Sequence, residues 1–516
     1  MPALFDLPNE LLDKIVDQVH PDDIINFSLS RRQIQVLAKD AVSLHLQRKK
    51  IYENIVLHGC HRHEMNAHPL RLIQDICMDW RIGEYPKYLT FECCHHPNRY
   101  DDAIEDEDRE DTKEYEVVQR EDDIFCQTTM QAIQGYIEER ATDLGFSKLN
   151  RTYLGQSYND IATYLGEFDV SAYCSAAKGG NETQGGINGT RGGIRDAMLA
   201  LLLFFIPNLE AICLARSTWG IWHLEEAIEW ISFQTLQRSL SERKPLMNLS
   251  QVRFLGYDDD ELLYADGQGE NFENFMSFAS LPSMRTICGD FVEGGDTAEG
   301  IWKFAPHTSN VTEIILQHSA VKAEYLTELL VGIKALKRFT YDYNENLDSG
   351  PGAETHKLIG ALLEHAKHSL EYLAFTGNFG LRDGVSDIHP CKGSLQDFRV
   401  LKEVVLDSYV YVDSDSAYPE SNPGASSCAD DPYIIRHLVN LMPSSIETIH
   451  LVGVRGTRHV SGLLKNLLEQ KDLRLPKFSK LIIGRTHDPP GVEWGRALWA
   501  KCEQAGVTLN TYWDRS

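Results

Sequence analysis

The chain has no hydrophobic run long enough to cross a membrane. Its longest, Met198 to Ile206, is nine residues closed by Pro207, about half a span. No basic stretch followed by an apolar one opens the chain, so no secretory leader is expected. Positive charge is in deficit: 50 Lys and Arg face 76 Asp and Glu, a net charge of -26. That balance repels phosphate backbones and anionic bilayers, so no nucleic acid and no membrane is expected among the partners. A disulfide framework is also missing. The 11 cysteines are scattered and odd in number in a chain too long to need staples, which points to reduced thiols in the cytoplasm or nucleus.

Catalytic signatures fail on spacing. His63-Glu64-Met65-Asn66-Ala67-His68 has its histidines five apart, about 140° round a helix, so they cannot grip one zinc ion from one face. The Gly-rich stretch Gly179 to Gly186 lacks the Lys-Ser/Thr ending of a phosphate-cradling loop, and neither a Gly-x-Ser-x-Gly elbow nor a kinase-type set occurs. Asp258, Asp259, Asp260 and Glu261 lack the spacing of a calcium loop and read as a solvated turn. Cys60, His61 and His63 follow one strand pattern, and Cys93, Cys94, His95 and His96 follow the next. Together they could hold zinc or pack as a His-rich loop pair with buried thiols; without a regular C-x-x-C spacing, no metal and no cofactor is assigned.

What the chain does have is self-similarity. The pattern apolar-x-x-apolar-x-apolar recurs at Leu209/Ile212/Leu214, Leu249/Val252/Phe254, Val311/Ile314/Leu316, Leu336/Phe339/Tyr341, Leu370/Leu373/Phe375, Leu401/Val404/Leu406, Ile446/Ile449/Leu451 and Phe478/Leu481/Ile483, with a weaker copy at Met284/Ile287. First positions are 25 to 45 residues apart, the range of a solenoid with insertions. Each copy ends as a short strand should. Helical patterns at Glu324 to Leu336, Thr355 to Leu370, Tyr433 to Met442 and Gly462 to Leu468 fill the gaps. Asn54 to Leu57 and Tyr88 to Glu92, with the helix Leu70 to Trp80 between them, extend the scheme upstream, and Gly506 to Trp513 supplies a last strand. The expected fold is α/β with parallel strands.

Three insertions interrupt the array, at 95-123, 176-193 and 411-432. Asp101 to Asp123 carries 13 acids against 3 bases and reads as a solvated loop. The insertion at 411-432 mixes aromatic residues with acids, a combination suited to a basic, partly apolar segment. Tyr409, Tyr411, Asp413, Asp415 and Tyr418 are its candidate target-binding residues, the alternative being a surface excursion without a partner.

Residues 1-50 have a different texture. After Leu7-Pro8, the residues Leu11, Leu12, Ile15, Val16 and Val19 recur at helical steps, with proline in the first turn. Asp22 and Asp23 precede a second helix containing Ile24, Ile25, Phe27 and Leu29. Ser30 and Gln33 have the spacing of a capping box, which predicts a third helix from Arg31 through Val42. Three helices of this size bury too little surface to stand alone.

Leu7-Pro8-Asn9-Glu10-Leu11-Leu12, with Ile15, Val19 and Asp23-Ile24-Ile25, resembles the F-box; the aromatic residue common late in its third helix is missing here. The array resembles leucine-rich repeats by period, without the asparagine ladder. Together they are similar to fungal substrate receptors of Skp-cullin-F-box ubiquitin ligases. The resemblance implies no enzyme activity. It implies a Skp-type adaptor, and through it a cullin, held by Leu7, Pro8, Leu11, Leu12, Ile15, Val19, Ile24 and Ile25, some as contacts and some as the core beneath, and a target protein held by the array. A scaffold without a ligase role is the alternative, and a hydrolase hidden in the α/β pattern is a third reading.

Overall fold

The computed structural model describes residues 7–58, 69–92, 199–200, 202–215, 224, 228, 231, 246–255, 270–293, 305–344, 355–378, 394–407, 412–413, 434–435, 437–453, 464–484 and 492–512. They belong to two units, one running to Arg253 with Leu281–Ser283, the other comprising Phe254–Ser280 and the chain from Met284.

The first unit opens with four helices: α1 (Asn9–Gln18), α2 (Ile24–Leu29), α3 (Arg32–Leu37) and α4 (Lys39–Tyr52). Pro8 caps α1 with its carbonyl, which accepts from the amides of Leu11 and Leu12 at 3.0 and 3.1 Å. The helix stops before His20-Pro21, where proline disfavours helical geometry in the residue preceding it. Val16, Ile24, Ile34 and Ala38 form the core of these helices, with Val19, Phe27, Ala41 and Val42 packed on it.

Two expectations for this segment are corrected. Ser30 and Gln33 form no capping box: Ser30 Oγ donates back to the Phe27 carbonyl, Gln33 Nε2 donates to Asn9 Oδ1, and Arg31 is the N-cap without a side-chain bond. The third helix also ends at Leu37. The chain breaks at Ala38 (ψ 0°), buried between α3 and α4, and α4 then buries only His45 fully. With so narrow an apolar face, α4 gives no helical periodicity to read.

β1 (Asn54–His58), α5 (Pro69–Met78), a 3-10 turn at Trp80–Glu84, β2 (Tyr88–Glu92), β3 (Ala211–Ala215) and β4 (Gln251–Leu255) follow; β4 runs into the second unit. Residues 199–200 and 202–205 are helical and buried, which explains the long apolar run. The second unit contains β5 (Glu270–Asn271), α6 (Glu273–Ala279), β6 (Thr286–Asp290), β7 (Val292–Glu293), β8 (Glu313–Ser319), α7 (Ala323–Gly332), β9 (Arg338–Asn344), α8 (Thr355–His365), β10 (Tyr372–Asn378), β11 (Glu403–Asp407), β12 (Val412–Asp413), β13 (Ile434–Ile435), β14 (Thr448–Val452), α9 (Lys471–Arg474), β15 (Lys480–Gly484), α10 (Val492–Gln504) and β16 (Thr508–Tyr512).

Every repeat copy is a strand in a parallel ladder. In the second unit β6, β8, β9, β10, β11, β14, β15 and β16 pair in that order, bringing Ile287, Ile314, Phe339, Leu373, Val404, Ile449, Leu481 and Leu509 into one row. In the first unit Ile55, Leu89 and Ile212 do the same. Strand residues alternate between faces, so the spacing of two between the last apolar pair of each copy puts both on one side, where they are buried. The first apolar residue of each copy is buried in the turn before the strand.

The turns share one hydrogen-bond device. At the start of nearly every strand two successive amides bond a single carbonyl of the preceding repeat: Lys87 and Tyr88 to Glu53, Glu371 and Tyr372 to Lys337, Glu447 and Thr448 to Lys402. A carbonyl has two lone pairs, so one acceptor fixes both the turn and the register.

Two expected helices are not formed. In Tyr433 to Met442, β-branched Ile434 and Ile435 pair antiparallel with Val412 and Asp413, and only Leu438–Asn440 makes a 3-10 turn. In Gly462 to Leu468, residues 464–468 are turn and Asn466 sits at φ 61°, outside the right-handed helical region. A short helix, α9, forms only beyond it.

Candidate functional site

Helix α1 carries two apolar rows rather than one. Leu12 and Val16 are buried, Val16 in the core of these helices. Leu7, Leu11, Ile15 and Val19, with Lys14 and Gln18, line an open, apolar groove of about 390 Å³. Residues 11, 15 and 18 follow the i, i+4, i+7 spacing of one helix face. Leu11 is 45% exposed, and on the next two helices Ile25, Leu29 and Val36 are 40, 68 and 70% exposed.

The helices are fixed to the 3-10 turn ahead of β2 and the residues that cap it. Arg81 Nη1 donates to the Asp17 carbonyl at 3.1 Å, and His20 Nε2 lies 3.2 Å from Glu84 Oε2, which also accepts from Asn208 Nδ2. Asp79 is gripped by Arg48 at 2.6 Å and Arg81 at 2.8 Å. Burial pushes the Asp79 carboxyl up, but the hydrogen bonds and charges of Arg81 and Arg48 outweigh it and hold the pKa below the ordinary carboxylate value. His45 is buried against Tyr85, Nδ1 to Oη 3.2 Å. Desolvation, aided by the Lys49 charge, lowers its pKa and keeps it neutral. The groove therefore sits on a braced platform.

Of the residues expected at an adaptor contact, Pro8, Leu11 and Ile25 are exposed and Leu7, Ile15 and Val19 are half-buried. Leu12 and Ile24 are not available: at 0 and 3% exposure they are core, because the helix spacing that puts Leu11 outward turns Leu12 inward. The groove's polar rim, Lys14 and Gln18, was not read from the sequence; the i, i+4 step between them was the available signal.

A second surface lies on the outward face of the second unit's strands. Its middle row is Cys288, Ile315, Thr340, Ala374, Val405, His450 and Ile482, mostly half-buried. Burial lowers the pKa of His450, leaving a neutral imidazole in this row. In the row at the strands' starts Arg338 pairs with Glu313 at 2.9 Å and lies 4.1 Å over the Tyr372 ring. At the strands' far ends His318, in a bulge at φ 46°, bridges Asp290 (2.9 Å) and Asp342 (3.6 Å) and stacks on Phe291.

Asp413 lies in β12 as backbone, and Tyr409, Tyr411, Asp415 and Tyr418 lie outside the described residues. So do Cys60, His61, His63, Cys93, Cys94, His95 and His96, and with them the zinc reading. Among the described residues no group of three or more His, Cys, Asp or Glu is placed to hold a metal ion, and no helix is long and apolar enough to cross a membrane. Burial pushes the Cys77 and Cys502 thiols up to about 12 and about 11, so these two pack rather than react. Compared with known proteins, the chain matches no family model and no curated protein.

Proposed function

We propose that this protein is the substrate-receptor subunit of a Skp-cullin-F-box type ubiquitin ligase. In this reading α1–α3 bind a Skp-type adaptor and, through it, a cullin. The strand ladder is a degenerate leucine-rich-repeat array that holds a target protein, in the cytoplasm or nucleus. The subunit performs no chemistry itself; it brings the target's lysines to a conjugating enzyme.

The observation that carries the reading is the second apolar row of α1. Helices that only covered the end of the array would turn their apolar residues inward and present a polar face. Here Leu12 and Val16 satisfy the core, and Leu7, Leu11 and Ile15 remain to line a groove. The Leu7-Pro8 start and the Asp23-Ile24-Ile25 segment support the same assignment.

The test is co-purification with a Skp-type adaptor. The paired replacement Leu11→Ala and Ile15→Ala abolishes capture in this reading while thermal melting stays unchanged. Undiminished capture by a folded double variant, or no capture by the wild-type chain, refutes it and leaves the helices as a scaffold's cap.

A further inference from the structure

β16 is the last strand of its ladder. β15 pairs with one side of it, and no described strand pairs with the other. The register Lys480 to Thr508, with the Thr508 amide donating to the Ser479 carbonyl at 2.8 Å, settles which backbone groups remain. In a parallel pair alternate residues turn both polar groups toward the neighbour. Thr508, Asn510 and Tyr512 therefore face β15, and Leu509 and Thr511 direct N–H and C=O to the open side.

Protein edges of this kind are normally blunted by a charge, a proline, a bulge or a covering element. Thr508–Tyr512 reads Thr-Leu-Asn-Thr-Tyr and has no charge or proline. The core rows also run out into solvent here. Leu481 and Ile483 are fully buried, but their partners in β16 are half-buried Leu509 and exposed Thr511. Tyr512 is 62% exposed, as is Trp499 at 55% on α10, the helix packed against β16.

We propose that this edge is a self-association surface, and that its occupant is the β16 of a second copy of the chain, antiparallel about a two-fold axis through Asn510. With that axis, Leu509 faces Thr511 of the second copy and Thr511 faces its Leu509. These are the residues whose backbone groups point away from β15, so four hydrogen bonds form and all eight of those groups are paired, four from each copy. Thr508 faces Tyr512 across the same pair, a Thr–aromatic contact that sheets favour. No charge lies on the strand, so the paired strands themselves set no like charges opposite one another. A two-fold, self-complementary contact is the commonest way that chains pair.

Sedimentation velocity of the full chain over a concentration series tests this. The wild type shifts from monomer to dimer as concentration rises. Thr511→Pro removes an amide that β15 does not use, a position where an edge strand tolerates proline. It weakens the dimer roughly ten- to a hundredfold by deleting two of its hydrogen bonds, with thermal melting unchanged. Asn510→Lys opposes two cations on the axis and weakens the dimer more at low salt than at high. A wild type that stays monomeric at every concentration overturns the proposal, including the case where a foreign strand uses the edge. So does a dimer that both folded variants leave intact.

Discussion

The ring of Phe275 occupies the place in the ladder that a side chain at Gly289 would fill. Gly289 pairs with Leu316, and beyond it the row continues through Tyr341, Phe375 and Leu406. A β-carbon at Gly289 would overlap the Phe275 ring and come within 2.5 Å of Val292 Cγ2. Helix α6 thus inserts a ring where the repeat omits a side chain, and the ring stacks on Phe254 at 4.6 Å.

The two residues are therefore coupled. Gly289→Leu alone is expected to destabilise by about 1–3 kcal/mol through overpacking, and Phe275→Ala by about 3–5 kcal/mol through the cavity it leaves. The double replacement returns volume to the same space, so its cost falls short of the sum by about 0.5–3 kcal/mol. Denaturant unfolding of the four proteins measures this; strict additivity excludes the substitution of ring for side chain.

The repeat was readable because it rests on the strongest signals a sequence carries. Buried triads such as Leu370/Leu373/Phe375 recur with a strand's period, and each stays buried whatever its surroundings do. What failed depended on single residues with local preferences. Asn466 in a left-handed conformation ended one helix, the Ile434–Ile435 pairing replaced another, and Ala38 split a third. At the groove, the apolar positions were evident but not their direction. Leu11 and Leu12 are adjacent and equally apolar, and only the packing of the folded chain decides that Leu12 is inside.

That distinction predicts different phenotypes for neighbours. Leu12→Ala should cost about 2–5 kcal/mol of stability, as buried leucines do, and reduce adaptor capture only through unfolding. Leu11→Ala should leave the melt within about 0.5 kcal/mol of wild type, as surface replacements do, and weaken adaptor capture directly. Calorimetry beside a quantitative binding assay separates them; equal melts, or a destabilised Leu11→Ala, contradict the assignment of faces.

Acid should destabilise the first unit in two stages. His45 has a lowered pKa in the folded chain, so the unfolded chain takes up its proton first. Its contribution is complete above the ordinary imidazole value of 6.5 and falls away as pH drops through the folded value. Asp79, also lowered, contributes fully above the ordinary carboxylate value and loses that contribution only at lower pH. Melting temperature against pH should therefore decline first below neutrality, then again in the carboxylate range. Asp79→Asn should flatten the second decline and leave the first; a profile unchanged by that variant rules out Asp79 as its source.

Asn466 offers the most local test of why one segment escaped prediction. Its φ of 61° is a conformation that asparagine tolerates and glycine adopts freely, whereas a β-carbon without a polar side chain opposes it. The carbonyl of Asn466 accepts from the Gln470 amide at 3.0 Å, and the turn delivers buried Leu467 and Leu475 to the core ahead of β15. Asn466→Ala should thus destabilise by about 1 kcal/mol, while Asn466→Gly stays within about 0.5 kcal/mol of wild type because the freedom it adds to the unfolded chain offsets the relief of strain. If Ala matches or exceeds Asn in chemical denaturation, residues 464–470 take up the right-handed helix that their apolar spacing suggests, and the left-handed turn is not what ends it.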